Sequence, residues 1–182
     1  MATHRIVHRF DSSKVLYECE LPEGLQSGMA VRHALGKATQ ADANLRGAYL
    51  RGAYLRANLV GTNLVGANLS GFKTDFFDVL LRATKEVAGL RAALVAGRVD
   101  GSTYEDECAC LVGTIAHVRN VEFNALGNGI KPDSGRPAEQ WFISIRKGDT
   151  PETNQISAIT VEWIDEFVEL IALATAPAIA AA

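Results

Sequence analysis

The chain has 182 residues, 48% of them apolar and 21% charged, with a net charge of −3. That is enough length for one sizeable domain or two small ones with real cores. No run of 18 apolar residues occurs, which excludes a spanning helix. The start Met1-Ala2-Thr3-His4-Arg5-Ile6 lacks the apolar core of a secretory signal. Three cysteines, Cys19, Cys108 and Cys110, make a poor disulfide framework. The expectation is a reducing cytoplasm and no membrane contact. Charge is uneven: residues 34–73 sum to +4, residues 74–182 to −7, and the first 33 balance. A basic middle followed by an acidic half predicts two different surfaces.

In chain order, Arg5–Phe10 and Val15–Leu21 read as a β-hairpin, with turn chemistry in Asp11-Ser12-Ser13-Lys14. Val15, Tyr17, Cys19 and Leu21 alternate with Leu16, Glu18 and Glu20, the period of a half-buried strand. After Pro22-Glu23-Gly24, residues 29–39 read as one short helix.

The pattern then changes. Ala43-Asn44-Leu45-Arg46-Gly47 is followed by Ala48-Tyr49-Leu50-Arg51-Gly52 and Ala53-Tyr54-Leu55-Arg56. Ala57-Asn58-Leu59-Val60-Gly61, Thr62-Asn63-Leu64-Val65-Gly66 and Ala67-Asn68-Leu69-Ser70-Gly71 complete the series. Leucines fall at 45, 50, 55, 59, 64 and 69, a spacing of five with one step of four at Arg56-Ala57. A period of five fits neither the 3.6 of a helix nor the 2 of a strand, so it calls for a repeat architecture.

This stretch resembles the pentapeptide-repeat family, whose motif is a small residue, Asp or Asn, Leu or Phe, then two freer positions. The resemblance implies a right-handed quadrilateral β-helix in which one repeat makes each side and four make a coil. Leu45, Leu50, Leu55, Leu59, Leu64 and Leu69 would then form its inward core. Six repeats make about one and a half coils, too few to stand without caps. The flanking segments are expected to supply them.

From Asp75 onward the period becomes helical. Phe76, Phe77, Leu80, Leu81, Val87, Leu90 and Leu94 predict helix with a break near 84–89. Ser102-Thr103-Tyr104-Glu105 has capping-box spacing, predicting a helix that starts there and carries Cys108, Leu111, Val112, Ile115 and Val118. Residues 124–137 read as a loop, and Trp141, Phe142 and Ile145 have helical spacing, a strand being the alternative. Thr150-Pro151-Glu152 is expected to open the last helix, with the stripe Ile156, Ile159, Trp163, Phe167 and Ile171. The expected fold class is α+β: a hairpin-and-helix cap (1–37), the repeat β-helix (38–73) and an acidic α-helical domain (74–182).

Cys108-Ala109-Cys110 with His117 invites a metal or thiol reading, but no second ligand pair exists for zinc. Core packing is the expected role of both cysteines. Asp100, Glu105, Asp106 and Glu107 do not match a calcium loop and read as a solvated helix start. The expectation is no metal, no cofactor and no catalytic residue, hence a protein that is not an enzyme.

Arg46, Arg51 and Arg56, interleaved with Tyr49 and Tyr54, would form a band around the coil and are the candidate ligand or partner contacts. Ordinary solvated surface is the alternative. Arginine beside exposed tyrosine can grip a phosphate or stack on a base. The function expected from the resemblance is interaction with a bacterial protein target. Its form would be a phage- or prophage-type inhibitor or modulator of an enzyme or defence complex. The first alternative is a nucleotide or cyclic-nucleotide sponge or sensor using the arginine–tyrosine band. The second is a gyrase-binding DNA mimic, which the short, positively charged repeat argues against. The open coil edge also predicts self-association into a homo-oligomer.

Overall fold

The computed structural model describes residues 2–22, 27–50, 63–64, 67–105 and 107–176. Two antiparallel strands, β1 (Thr3–His8) and β2 (Asp11–Glu20), open the chain. Helix α1 (Ser27–Gln40) follows them. After the repeats come α2 (Ser70–Arg82), α3 (Val87–Val95), α4 (Leu111–Arg119), α5 (Pro137–Phe142) and α6 (Gln155–Thr175). A 3-10 turn lies at Phe123–Ala125. The fold thus combines helices with one small sheet. No helix among the described residues is long and apolar enough to cross a membrane.

The hairpin turns at Arg9-Phe10, not at Asp11–Lys14 as its residue types predict. Asp11 does make the expected local bonds, its Oδ1 accepting from the Ser13 N–H at 3.0 Å and the Ser13 hydroxyl at 2.6 Å. It makes them inside the start of β2. The expected alternation also breaks. Ile6 pairs with Tyr17 and Val7 with Val15, so Leu16 is a bulged residue. The slip leaves Leu16 half-buried and Val15 41% exposed.

The hairpin does not end at its own edge. Tyr49 N–H donates to the Val7 carbonyl at 2.9 Å, and Arg9 N–H to the Gly47 carbonyl at 2.8 Å. The first repeats therefore extend the sheet beyond β1, giving buried backbone groups partners they would otherwise lack. Gly47 is required at this join. It has φ +75°, and a β-carbon there would lie 2.5 Å from His8 Nε2.

Two equivalent places in the repeat are described, and they share their local bonds. Ala48 N–H donates to the Leu45 carbonyl and Ala67 N–H to the Leu64 carbonyl, each at 2.9 Å. Asn44 Oδ1 accepts from the Arg46 N–H at 3.0 Å, and Asn68 Oδ1 from the Ser70 N–H at 3.2 Å. The asparagine of the motif thus closes an Asx-type turn in both. Tyr49 and Asn68 form a parallel bridge, and Asn68 N–H donates to the Ala48 carbonyl at 2.7 Å. The rest of the expected coil, with Leu55, Leu59 and the four-residue step, lies outside the described residues.

Leu45, Leu50, Leu64 and Leu69 are buried, and one core runs from Ile6 and Leu35 through these leucines to Phe167. Its centre is aromatic. Trp141 stacks on Trp163 with centroids 4.9 Å apart, and Phe72 lies 5.5 Å from Trp141. The fully buried indole of Trp141 donates to the Thr160 hydroxyl at 2.8 Å, which satisfies its one polar atom. Each such side chain contributes about 1.5–3 kcal/mol by leaving water.

Two expected helix starts are corrected. The capping-box segment opens no helix: residues 99–105 and 107–110 are irregular, Val99 and Ala109 form a bridge, and α4 begins at Leu111. Thr103 Oγ1 instead accepts from the Glu105 N–H at 3.3 Å, and Asp100 Oδ1 from the Ser102 N–H at 3.0 Å. Local side-chain bonds have competed with helix formation. Pro151 sits in a turn ahead of α6. The cap is Asn154, whose Oδ1 accepts from the Ile156 and Ser157 N–H groups at 2.8 and 3.1 Å.

Candidate binding groove

A groove of about 530 Å³ lies where the end of the repeat meets the last helix. Leu64, Ala67, Asn68 and Leu69 form one wall, and Gln155, Ala158, Ile159, Glu162 and Trp163 of α6 the other. Ser70 and Lys73 of α2 and Arg9 of the hairpin turn complete it. The walls are tied together: Leu64 N–H donates to Gln155 Oε1 at 3.0 Å. Lys73 pairs with Glu166 of α6 and lies 5.5 Å from the Phe77 ring centroid.

The hairpin turn carries Arg9 and Phe10. Phe10 is 78% exposed, the largest exposure among the described large apolar residues. The Arg9 guanidinium sits over its ring at 4.3 Å from the centroid, and the His8 ring lies at 6.0 Å. A single exposed apolar residue needs no explanation. An exposed aromatic ring next to a groove-lining arginine is a ready contact for a partner.

The predicted contact residues fall elsewhere. Arg46 is exposed and Tyr49 is 47% exposed, and neither lines the groove. Arg51, Tyr54 and Arg56 lie outside the described residues. Residue types alone do not point to Arg9 and Phe10, because the turn composition of Asp11–Lys14 lies three residues later than the turn itself. Nor do they point to Gln155, Ala158 and Glu162, because nothing in a stripe of apolar residues says what its flanks meet.

The cysteine–histidine reading fares as follows. Cys108 and Cys110 are buried at 5% and 3% exposure, and burial pushes the Cys110 thiol up to about 11. Burial that raises the Cys110 thiol disfavours the thiolate, the nucleophilic form. His117 is exposed two turns along α4, about 10 Å away along the axis. Among the described residues, no group of three His, Cys, Asp or Glu side chains is placed to hold a metal ion.

The most perturbed ionisable cluster is structural. Glu139 is 3% exposed; its Oε1 accepts from the Asp133 N–H at 2.9 Å, and its other oxygen from the Tyr104 hydroxyl. Burial pushes both the Glu139 carboxyl and the Tyr104 phenol upward. The carboxylate pins two loops to α5.

The family model described as pentapeptide repeats (8 copies) matches residues 41–72. That stretch is shorter than eight five-residue units, in keeping with the six that the leucines mark. No curated protein and no solved structure matches the chain. The matched stretch contains the groove's repeat wall, with Leu64 and Leu69, and the edge that hydrogen-bonds to β1. Residues 41–72 are thus a pentapeptide-repeat segment.

Proposed function

We propose that this is a non-catalytic interaction protein that engages a bacterial protein target through the groove and the hairpin turn beside it. The observation that carries this reading is exposed Phe10, in contact with Arg9, which itself lines a groove whose two walls come from the repeat and from α6. Aromatic and arginine anchors dominate binding energy at protein interfaces. Pentapeptide-repeat proteins commonly work through protein contacts, which supports the same class. The specific form of the proposal is inhibition or modulation of an enzyme or defence complex, as in phage-encoded proteins.

The repeat is proposed to wind as a quadrilateral coil. Tyr49 and Asn68 stand nineteen residues apart, four repeats less the residue missing at Arg56-Ala57, which is one circuit of four sides. Leu45 with Leu64 and Leu50 with Leu69 share that separation. The hairpin would cap the first rung, and α6 would close the last.

A nucleotide-binding alternative rests on Arg46 and Tyr49 as the described part of the arginine–tyrosine band. Arg51→Glu separates the two readings: it abolishes a nucleotide site and leaves target binding at the groove intact. Phe10→Ala does the reverse. Each variant is assayed for both activities, by affinity capture of one host protein and by titration with cyclic nucleotides. Target capture that survives Phe10→Ala and Ala158→Glu would sink the groove proposal.

A further inference from the structure

A second concavity, of about 320 Å³, lies between the end of α2 with the turn into α3 and the end of α4 with the loop that follows it. It is lined by Arg82, Thr84, Lys85, Glu86, Arg119 and Asn128, with no apolar side chain among them. We propose that this basin binds an oxyanion of the phosphate class.

Its floor is built and fixed. Arg119 donates through Nε and Nη2 to the two oxygens of Glu86 at 3.0 and 2.9 Å, and through Nη1 to the Leu126 carbonyl. Glu86 is 7% exposed, so this bidentate pair is largely out of water. Arg82 is aimed by Asp78, whose Oδ1 accepts from Nε at 3.3 Å and from Nη2 at 3.0 Å. That leaves Arg82 Nη1 facing the loop after Leu126.

The loop is shaped to receive it. Gly127, Asn128 and Gly129 have φ of +68°, +52° and +71°, three successive left-handed residues. A β-carbon at Gly129 would stand 2.6 Å from Arg82 Nη1, so glycine is what lets the guanidinium lie there. The Asn128 amide donates to the Arg82 carbonyl at 3.4 Å, locking loop to helix end.

Charge accounts for what is left over. Asp75 and Asp78 offset Arg82 and Arg136, and Glu86 offsets Arg119. Lys85 lines the same basin and makes no ion pair among the described residues. Lys85, Arg82 and Thr84 line the basin from residues 82–85, and Asn128 lines it from the loop after α4, so donor-bearing side chains reach it from two segments. Arg119 is already matched two-to-two by the Glu86 carboxylate, and Arg82 gives Nε and Nη2 to the single oxygen Asp78 Oδ1. A tetrahedral oxyanion, with three or more oxygens, fits donors arriving from separate directions.

The test is titration of the full chain with inorganic phosphate, followed by the backbone amide shifts of Lys85, Asn128 and Gly129. The expected result is saturable shifts with Kd below about 1 mM, weakened at least about tenfold in Lys85→Glu protein. Lys85 is exposed and unpaired, so that variant keeps its fold, which an unchanged Tm verifies. Thr84→Ala is the second variant and weakens binding by a smaller factor. A phosphomonoester that binds more tightly than inorganic phosphate identifies a phosphorylated group as the ligand; tighter binding of phosphate identifies the free ion. Shifts that never saturate, or that saturate equally in Lys85→Glu protein, overturn the proposal.

Discussion

Tyr49 and Asn68 lie in parallel register, and the Asn68 N–H that donates to the Ala48 carbonyl at 2.7 Å is the bond that joins the two described ends of the repeat. Ala48 has no exposed surface, so its carbonyl has no water to turn to. Asn68→Pro removes the donor and is expected to cost about 1–3 kcal/mol from the unsatisfied carbonyl alone, with the ring's own strain added. Asn68→Ala keeps that N–H and loses only the side-chain bond to the Ser70 N–H, costing about 1 kcal/mol. Urea unfolding of the two variants checks the order. Equal losses would show that the backbone bond is not holding the rungs together.

The second prediction concerns the tie between repeat and last helix. Gln155 Oε1 is the acceptor for the Leu64 N–H, and Leu64 is 1% exposed. Gln155→Ala strands that donor and is expected to destabilise the protein by about 1–3 kcal/mol. Gln155→Glu retains an acceptor and loses less. Amide exchange at Leu64 is the local readout: it should accelerate in the alanine variant well beyond the change in global stability.

Glu139 gives a prediction with a sign. Burial raises its folded-state pKa above the ordinary carboxylate value, so the folded protein holds the proton more tightly than the unfolded chain. Its contribution is therefore fully present below the unfolded pKa of about 4.3 and is lost as pH rises through the folded value. The groups facing it are Tyr104, Asp133 and Arg136. Asp78, Glu86 and Asp165 act the opposite way, since arginine partners lower them and their contributions disappear as pH falls. Glu139→Gln isolates the first effect. The stability difference between wild type and variant should shift in favour of the variant between pH 4 and pH 7. A difference that does not vary with pH would contradict the account.

How far the sequence carried the fold depends on how local the signal was. The five-residue leucine spacing is a long-range regularity no other element imitates, and the buried Leu45, Leu50, Leu64 and Leu69 sit on it. The aromatic stripes of α2, α5 and α6 were legible for the same reason. Turn and cap residues were not, because Asp, Ser and Thr bond to whatever N–H groups lie two or three residues on. Ser102–Glu105 has capping-box spacing and closes a loop, and Asp11–Lys14 has turn composition and begins a strand. The groove was illegible altogether. It depends on Arg9, Leu64 and Gln155 meeting, and no local pattern reports which segments will be neighbours.

The central claim is that a protein target occupies the groove and covers Phe10. A photo-crosslinking benzoylphenylalanine placed at position 10, and separately at position 158, tests it directly in a bacterial lysate. The account predicts one and the same host protein crosslinked from both positions, displaced by unlabelled wild-type protein and not by unlabelled Phe10→Ala or Ala158→Glu protein. Crosslinking no greater than from a probe at position 81, on the exposed side of α2, or displacement by the variants as effective as by wild type, would contradict it.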